Sequence, residues 1–342
     1  MPRPSGHNRV MHRRGISTVV IFLVLSVPAL SALTIKLGTV APADSPWDTV
    51  LRHIASQWAS ISNGSVTLQI YAGGTAGGES DMIRLMRLGQ LQAAALTQLG
   101  LGEIVPDALA LNVPFLLSSQ KEFEYVLKES EPYFNTQFEK AGFKMLTWAG
   151  AGWVHFFATK PISSPEQLKR LRLGVPEGDQ KLLEVWKDLG FNAVQLPIPD
   201  IMAGLQSGLV DAFYSPPSAA AVFQWFLSAA HMSSVKVTPA IVGLVVDERT
   251  WHRIPAALRG PLEKAVQSDQ ADLERIGTEL DAQATTAMVQ NGLTVDPVTP
   301  AQMKEWEALG REGVNQVIGS LITRSAYTKI LGYVAAYRSS HP

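Results

Sequence analysis

The 342-residue chain contains no cysteine. It therefore has no disulfide framework, no thiol nucleophile and no lipidated cysteine anchor, and its stability must come from packed cores. Net charge is almost as scarce, because 29 Lys and Arg face 30 Asp and Glu for a formal value of −1. That balance offers no electrostatic reason for nucleic acid or an anionic surface as a partner. The seven histidines, His7, His12, His53, His155, His231, His252 and His341, show no His-x-x-x-His or His-Glu pairing of the kind that holds zinc. A Gly-x-Ser-x-Gly elbow is also missing, and acid pairs such as Asp179 with Glu184 sit at the spacing of a solvated helix face. Neither a metal nor an organic cofactor is expected.

Long apolar runs are lacking too, apart from one near the front. Residues 1–32 combine a basic start (Arg3, Arg9, Arg13, Arg14), an apolar run at 16–27 and small residues at Ala29, Ser31 and Ala32. The run is shorter than the roughly 20 residues of a membrane span. This is the layout of a secretory signal peptide cleaved after Ser31, with an uncleaved anchor as the alternative. The expected location is the periplasm, free or tethered by a retained leader. The remaining length, with 46% hydrophobic and 17% charged residues overall, suits two ordinary domains with real cores.

What is present centres on residues 168–217, which read as strand, helix, strand, helix, strand. The strands are expected at 171–175, 192–196 and 210–214, and the helices at 180–189, closed by Gly190, and from Pro199 to Gln206, closed by Gly208. Such units build a parallel sheet, with ligands beyond the carboxyl ends of its strands. Further strands are expected at 33–40, 66–71, 92–98, 144–148 and 241–246. Helices are expected at 47–60, 80–88, 120–127, 133–141 and 301–318, with a long helical run around Leu258 to Gln290. Residues 73–79 form a glycine-rich loop before a helix, but they lack the Gly-Lys-Ser/Thr ending of a phosphate cradle.

The same stretch carries Pro165, Leu168, Lys169, Leu171, Val175 and Pro176, then Leu189-Gly190, then Leu205-Gln206-Ser207-Gly208, Val210-Asp211 and Pro216. In spacing it resembles the periplasmic solute-binding subunit of TRAP transporters, the DctP-type family. Their pattern runs close to P-x-x-L-K-G-L-K-I-R-V-P, then A-L-G-A, then A-L-Q-T-G-x-V-D-G-x-E-N-P. Gly77-Gly78-Glu79, the segment 105–117 and His155-Phe156 extend the similarity over nearly all of residues 33–337. The resemblance implies an α/β, two-lobed, periplasmic-binding-protein-like fold with a ligand cleft between the lobes and a long bridging helix. Lobe I is expected at 33–151 plus 241–280, and lobe II at 152–240 plus 281–338. It also implies a binding protein rather than an enzyme, separately encoded membrane subunits as partners, and in some relatives a helical-repeat, TPR-like periplasmic helper.

The chain departs from the family where its relatives grip acids, since the positions of their two ligand-binding arginines hold Gly174 and Val154, and Ser215 stands where they have Asn. Aromatic residues gather instead: Trp148, Trp153, Phe156, Phe157, Phe213 and Tyr214 near strand ends, with Trp47 and Phe115 on segments that reach the cleft in the family. The expected ligand contacts are Trp47, Glu79, Trp153, Val154, Gly174, Val175, Ile198, Phe213, Tyr214 and Ser215, around a largely hydrophobic ligand. The alternatives are a carboxylate binder that uses Arg172, two residues from Gly174, and a secreted hydrolase.

Overall fold

The apolar run at 239–246 becomes a strand in the interior of the first of two sheets. The computed structural model describes residues 32–178 and 180–341, so residues 1–31 of the expected leader lie outside it. In chain order the strands are β1 (Leu33–Thr39), β2 (Val66–Tyr71), β3 (Ala93–Thr97), β4 (Phe143–Trp153), β5 (His155–Ala158), β6 (Arg172–Pro176), β7 (Asn192–Leu196), β8 (Ala212–Ser215), β9 (His231–Ser233), β10 (Pro239–Asp247) and β11 (Thr294–Asp296). The first sheet has the order β2-β1-β3-β10-β4, and the second β11-β9-β5-β8-β6-β7. In the first, β1 runs parallel to β2 and β3, while β10 lies antiparallel to β3 and β4. In the second, β6 runs parallel to β7 and β8, and β5 antiparallel to β8 and β9. Apolar cores lie on both faces of each sheet, which is why β10 is buried along its length and reads as continuously apolar.

Three crossings join the lobes. β4 runs out of the first sheet and, after Val154, continues as β5 of the second, while residues 237–239 return beside it. The two segments are stitched where the Val154 amide donates to the Thr238 carbonyl at 2.9 Å and the Val237 amide to the Val154 carbonyl at 3.0 Å. The third crossing is the helix Gln270–Gln290, which places Leu273 in a core of the first sheet and Met288 in one of the second.

Two expectations are corrected. The long helical run is two helices, Ala256–Ser268 and Gln270–Gln290. The break falls at Asp269, whose carboxylate is held 3.0 Å from the His53 ring nitrogen. The helices expected at 120–127 and 133–141 are one, Gln120–Lys140, with Pro132 inside it on an exposed position. The last helix, Arg324–Ser340, sends Ala326, Ile330 and Val334 into a core of the first sheet, so we propose counting it with lobe I rather than lobe II. Among the described residues, no helix is long and apolar enough to cross a membrane.

The bridging helix lies directly on β4 because Gly277 has no side chain. A Cβ there would run into the Gly150 carbonyl oxygen and stand 2.9 Å from the Ala151 Cα. Gly277→Ala is thus expected to lower unfolding free energy by about 1–3 kcal/mol in urea titrations, against alanine's better helix propensity. An unchanged or higher stability would show that the helix does not need this close approach.

Candidate ligand-binding cavity

Between the two sheets lies a cavity of about 160 Å³. The first lobe supplies the carboxyl ends of β1 and β3 (Thr39, Val40, Thr97), with Trp47 from the helix Pro46–Ile61. It also supplies Thr147, Ala149 and Ala151, alternate residues of β4 that share one face of the strand. From the second lobe come Pro176, Ile198, Tyr214 and Ser215, with Phe223 and Trp225 from the segment after the helix Pro217–Val222. Phe223 and Trp225 stack at 4.4 Å and 9°. Among the described residues no charged side chain lines the cavity.

Several of its polar groups are already engaged. The Ser215 hydroxyl donates to the Pro216 carbonyl at 3.0 Å, the Thr147 hydroxyl to the Trp148 carbonyl at 3.2 Å, and the Thr97 hydroxyl to Glu79 Oε2 at 2.7 Å. Gln98 Oε1 accepts from the Ile241 amide at 3.3 Å. Tyr214 keeps a neutral hydroxyl, because burial pushes its pKa far up.

Five of the ten expected contacts meet here: Trp47, Val154, Ile198, Tyr214 and Ser215. The other five lie elsewhere. Gly152, at φ +95°, breaks the alternation of β4, so Val154 rather than Trp153 follows Ala151 into the cavity wall, and the Trp153 ring lies 5.9 Å from the Lys236 ammonium. Phe213 is fully buried in the second lobe, stacked on Phe157 at 5.1 Å, and Val175 belongs to a core beside Leu173. A Cβ on Gly174 would meet Leu196 at 3.2 Å and Val210 at 3.3 Å, so the space a side chain would need there is filled. Of the other aromatics, Trp148 is buried in a core of the first lobe and bonded to Asn135 at 2.8 Å. Phe115 and Phe156 line a second cavity. Sequence reasoning passed over Gln98, Leu99, Phe223 and Trp225. The first two were findable, since they follow the carboxyl end of β3, where open α/β sheets bind ligands.

Arg172 is not a cavity cation. It opens β6 on the surface and holds Asp211 through two hydrogen bonds of 2.7 Å, Nε to Oδ2 and Nη2 to Oδ1. The carboxylate-binding alternative therefore loses the residue it relied on. Glu79 is also no liner: buried beneath β3, it accepts from the Thr97 amide (2.6 Å), the Thr97 hydroxyl (2.7 Å) and the Gly100 amide (3.0 Å). It shapes the turn that presents Gln98 and Leu99. The glycine-rich loop before it is a meeting place of the lobes, because Gly74 leaves room for Pro199 and Gly78 for Glu177. Burial pushes the Glu177 carboxyl up, and Asp81, Glu103 and Asp200 add to the effect.

Two α/β lobes, three crossings and a cavity closed between them define a solute-capturing protein. The model of the DctP family, described as bacterial extracellular solute-binding protein, family 7, matches residues 37–319. The chain belongs to that family, the extracytoplasmic solute-binding proteins of TRAP transporters, which bind their solutes for transport rather than transform them. The C4-dicarboxylate-binding periplasmic protein DctP of Rhodobacter capsulatus is 23% identical over 299 residues, 85% of this chain and 89% of that protein. Among solved structures, a TRAP periplasmic solute-binding protein of Xanthobacter autotrophicus with bound β-D-galacturonate superposes with a TM-score of 0.82 at 20% identity, covering 88% of this chain and 99% of that one. The sugar acid binding protein DctPAm of Advenella mimigardefordensis, in complex with galactonate, gives 0.83 at 16% identity, covering 90% and 99%.

Burial raises the Glu79 pKa from 4.5 to about 7, outweighing the donors from Thr97 and Gly100. A folded-state pKa above the unfolded value means that stability is full below about 4.5 and falls as pH rises through about 7. Replacing the carboxyl in Glu79→Gln removes that slope. The stability difference, wild type minus variant, is expected to shrink between these pH values in urea titrations, and a difference that grows would refute a raised pKa.

Proposed function

We propose that this TRAP solute-binding protein captures a largely hydrophobic ligand between its lobes and delivers it to separately encoded membrane subunits. The observation that carries the reading is the cavity wall, which holds no charged side chain among the described residues and has the hydroxyls of Ser215, Thr147 and Thr97 turned to the chain's own carbonyl and carboxylate oxygens. The relatives named above bind dicarboxylates or sugar acids. A charge-assisted hydrogen bond to such an acid contributes about 1.5–3 kcal/mol, and an unpaired carboxylate loses its hydration on entering an apolar cavity. For this chain the desolvation cost wins. A ligand that hides about 300 Å² of apolar surface gains roughly 7–8 kcal/mol before the entropy of association is subtracted. That leaves room for useful affinity without a cation.

Calorimetry with succinate, galacturonate and sialic acid is expected to show binding no tighter than about millimolar, while mass spectrometry of the purified protein recovers neutral apolar compounds. Binding of a small acid at about micromolar Kd or below would overturn the reading. So would an acid as the molecule that co-purifies.

A further inference from the structure

The cavity has a neighbour. A second one, about 190 Å³, lies behind a wall formed by Gln98, Leu99, Val154 and Tyr214, the four residues that face both. Its far side comes from the helices Gln180–Asp188 and Pro300–Val317, and among the described residues no charged side chain lines it.

Three observations distinguish it from a packing defect. Phe115, part of its wall, has φ 60°, a left-handed backbone that a bulky residue adopts only under constraint. The turn is pinned where the Phe115 amide donates to the Val237 carbonyl at 2.8 Å, next to a lobe crossing. The helix opposite carries Gly310 and Gly313, which weaken a helix relative to alanine. A Cβ on Gly310 would stand 2.8 Å from the Phe115 ring, so glycine here keeps aromatic ring and helix in contact around the space. Finally, the dividing wall holds two neutral polar groups. Gln98 uses its oxygen on Ile241 and has no other hydrogen bond among the described residues, and Tyr214, stacked on Trp186 at 5.6 Å, keeps a protonated hydroxyl.

We propose that the two cavities are chambers of one ligand site, and that the ligand is an elongated uncharged molecule. It would be a straight alkyl or acyl chain with one neutral carbonyl, which accepts from Gln98 and Tyr214 at the wall while apolar ends fill both chambers. The proposal rests on the apolar-ligand reading above and adds the ligand's length and the place of its polar group. A dry cavity of about 150 Å³ accommodates one benzene ring. Chambers of about 160 and 190 Å³ therefore take about six carbons each. The same four side chains face both chambers, so changes in their rotamers are the route by which the ligand would join them.

The test is competition calorimetry on the full-length protein with straight-chain ketones that carry the carbonyl at mid-chain, from about six to about sixteen carbons. Affinity is expected to rise about fourfold per methylene and to level off near about twelve carbons. Levelling near about six carbons would overturn the two-chamber site while leaving the apolar-ligand reading intact. No binding of any ketone, beside binding of small acids, would remove both. Leu182→Trp and Val314→Phe fill the second chamber from different helices, and each is expected to move the levelling point down toward about six carbons. A levelling point that stays in place in a variant with a native thermal melt would also overturn it.

Discussion

Much of the architecture hangs on one carboxylate. Asp281, on the bridging helix, accepts a hydrogen bond from the Trp153 amide at 2.8 Å and another from the Ser218 amide at 2.9 Å. Those donors belong to the end of the strand that leaves the first lobe and to the start of a helix in the second. A single half-buried side chain therefore fastens the third crossing to the first and to the lobe beyond. Room for it comes from Gly152, at φ +95°, where a Cβ would collide with the carboxylate. Burial pushes the Asp281 carboxyl up and the backbone donors pull against it. The group is kept because its alternatives are worse: without it, two amides at the lobe junction would have no acceptor.

With the crossings fixed in this way, the cavity's character depends on what the strand ends deliver. Residues 147, 149 and 151 of β4 and the segment after β8 present small or aromatic apolar groups, and the cations of this region are committed elsewhere. Arg172 is tied to Asp211 on the surface, and Lys236 lies over the outer face of Trp153. Selectivity in such a site comes from shape and from the lack of compensation for charge. An acid is rejected by what it would lose, not by a repulsive group.

The strand and helix order of residues 168–217 was legible because each element is bounded by Gly or Pro and carries its own period. β7 falls at residues 192–196, where the pattern put it. The family, too, was legible in the spacing of Pro176, Gly190, Gly208 and Pro216. The cavity was legible only by half. A strand sends neighbours to opposite faces, and sequence alone does not say which face is the cleft, so Phe213 reads as well as the Tyr214 that does face it, while the left-handed Gly152 that puts Val154 rather than Trp153 in the wall breaks the alternation. The break at Asp269 left no local trace, since neither Gly nor Pro marks it. The partner that holds Asp269 is His53, 216 residues away. Pro132 shows the opposite failure: a residue that usually ends helices is tolerated where its ring points to solvent and packing on both sides carries the helix through.

The strand order of the first sheet has a further consequence for how the chain acquires its structure. β10 sits between β3 and β4, yet it follows β4 by the whole length of β5 to β9. Until residue 247 is available, β3 and β4 have no strand to join them, and the first lobe cannot close around its core. Such a molecule cannot fold one lobe at a time from its amino end. Its nucleus must span distant segments, which makes folding slow and leaves unpaired strand edges exposed in the interval.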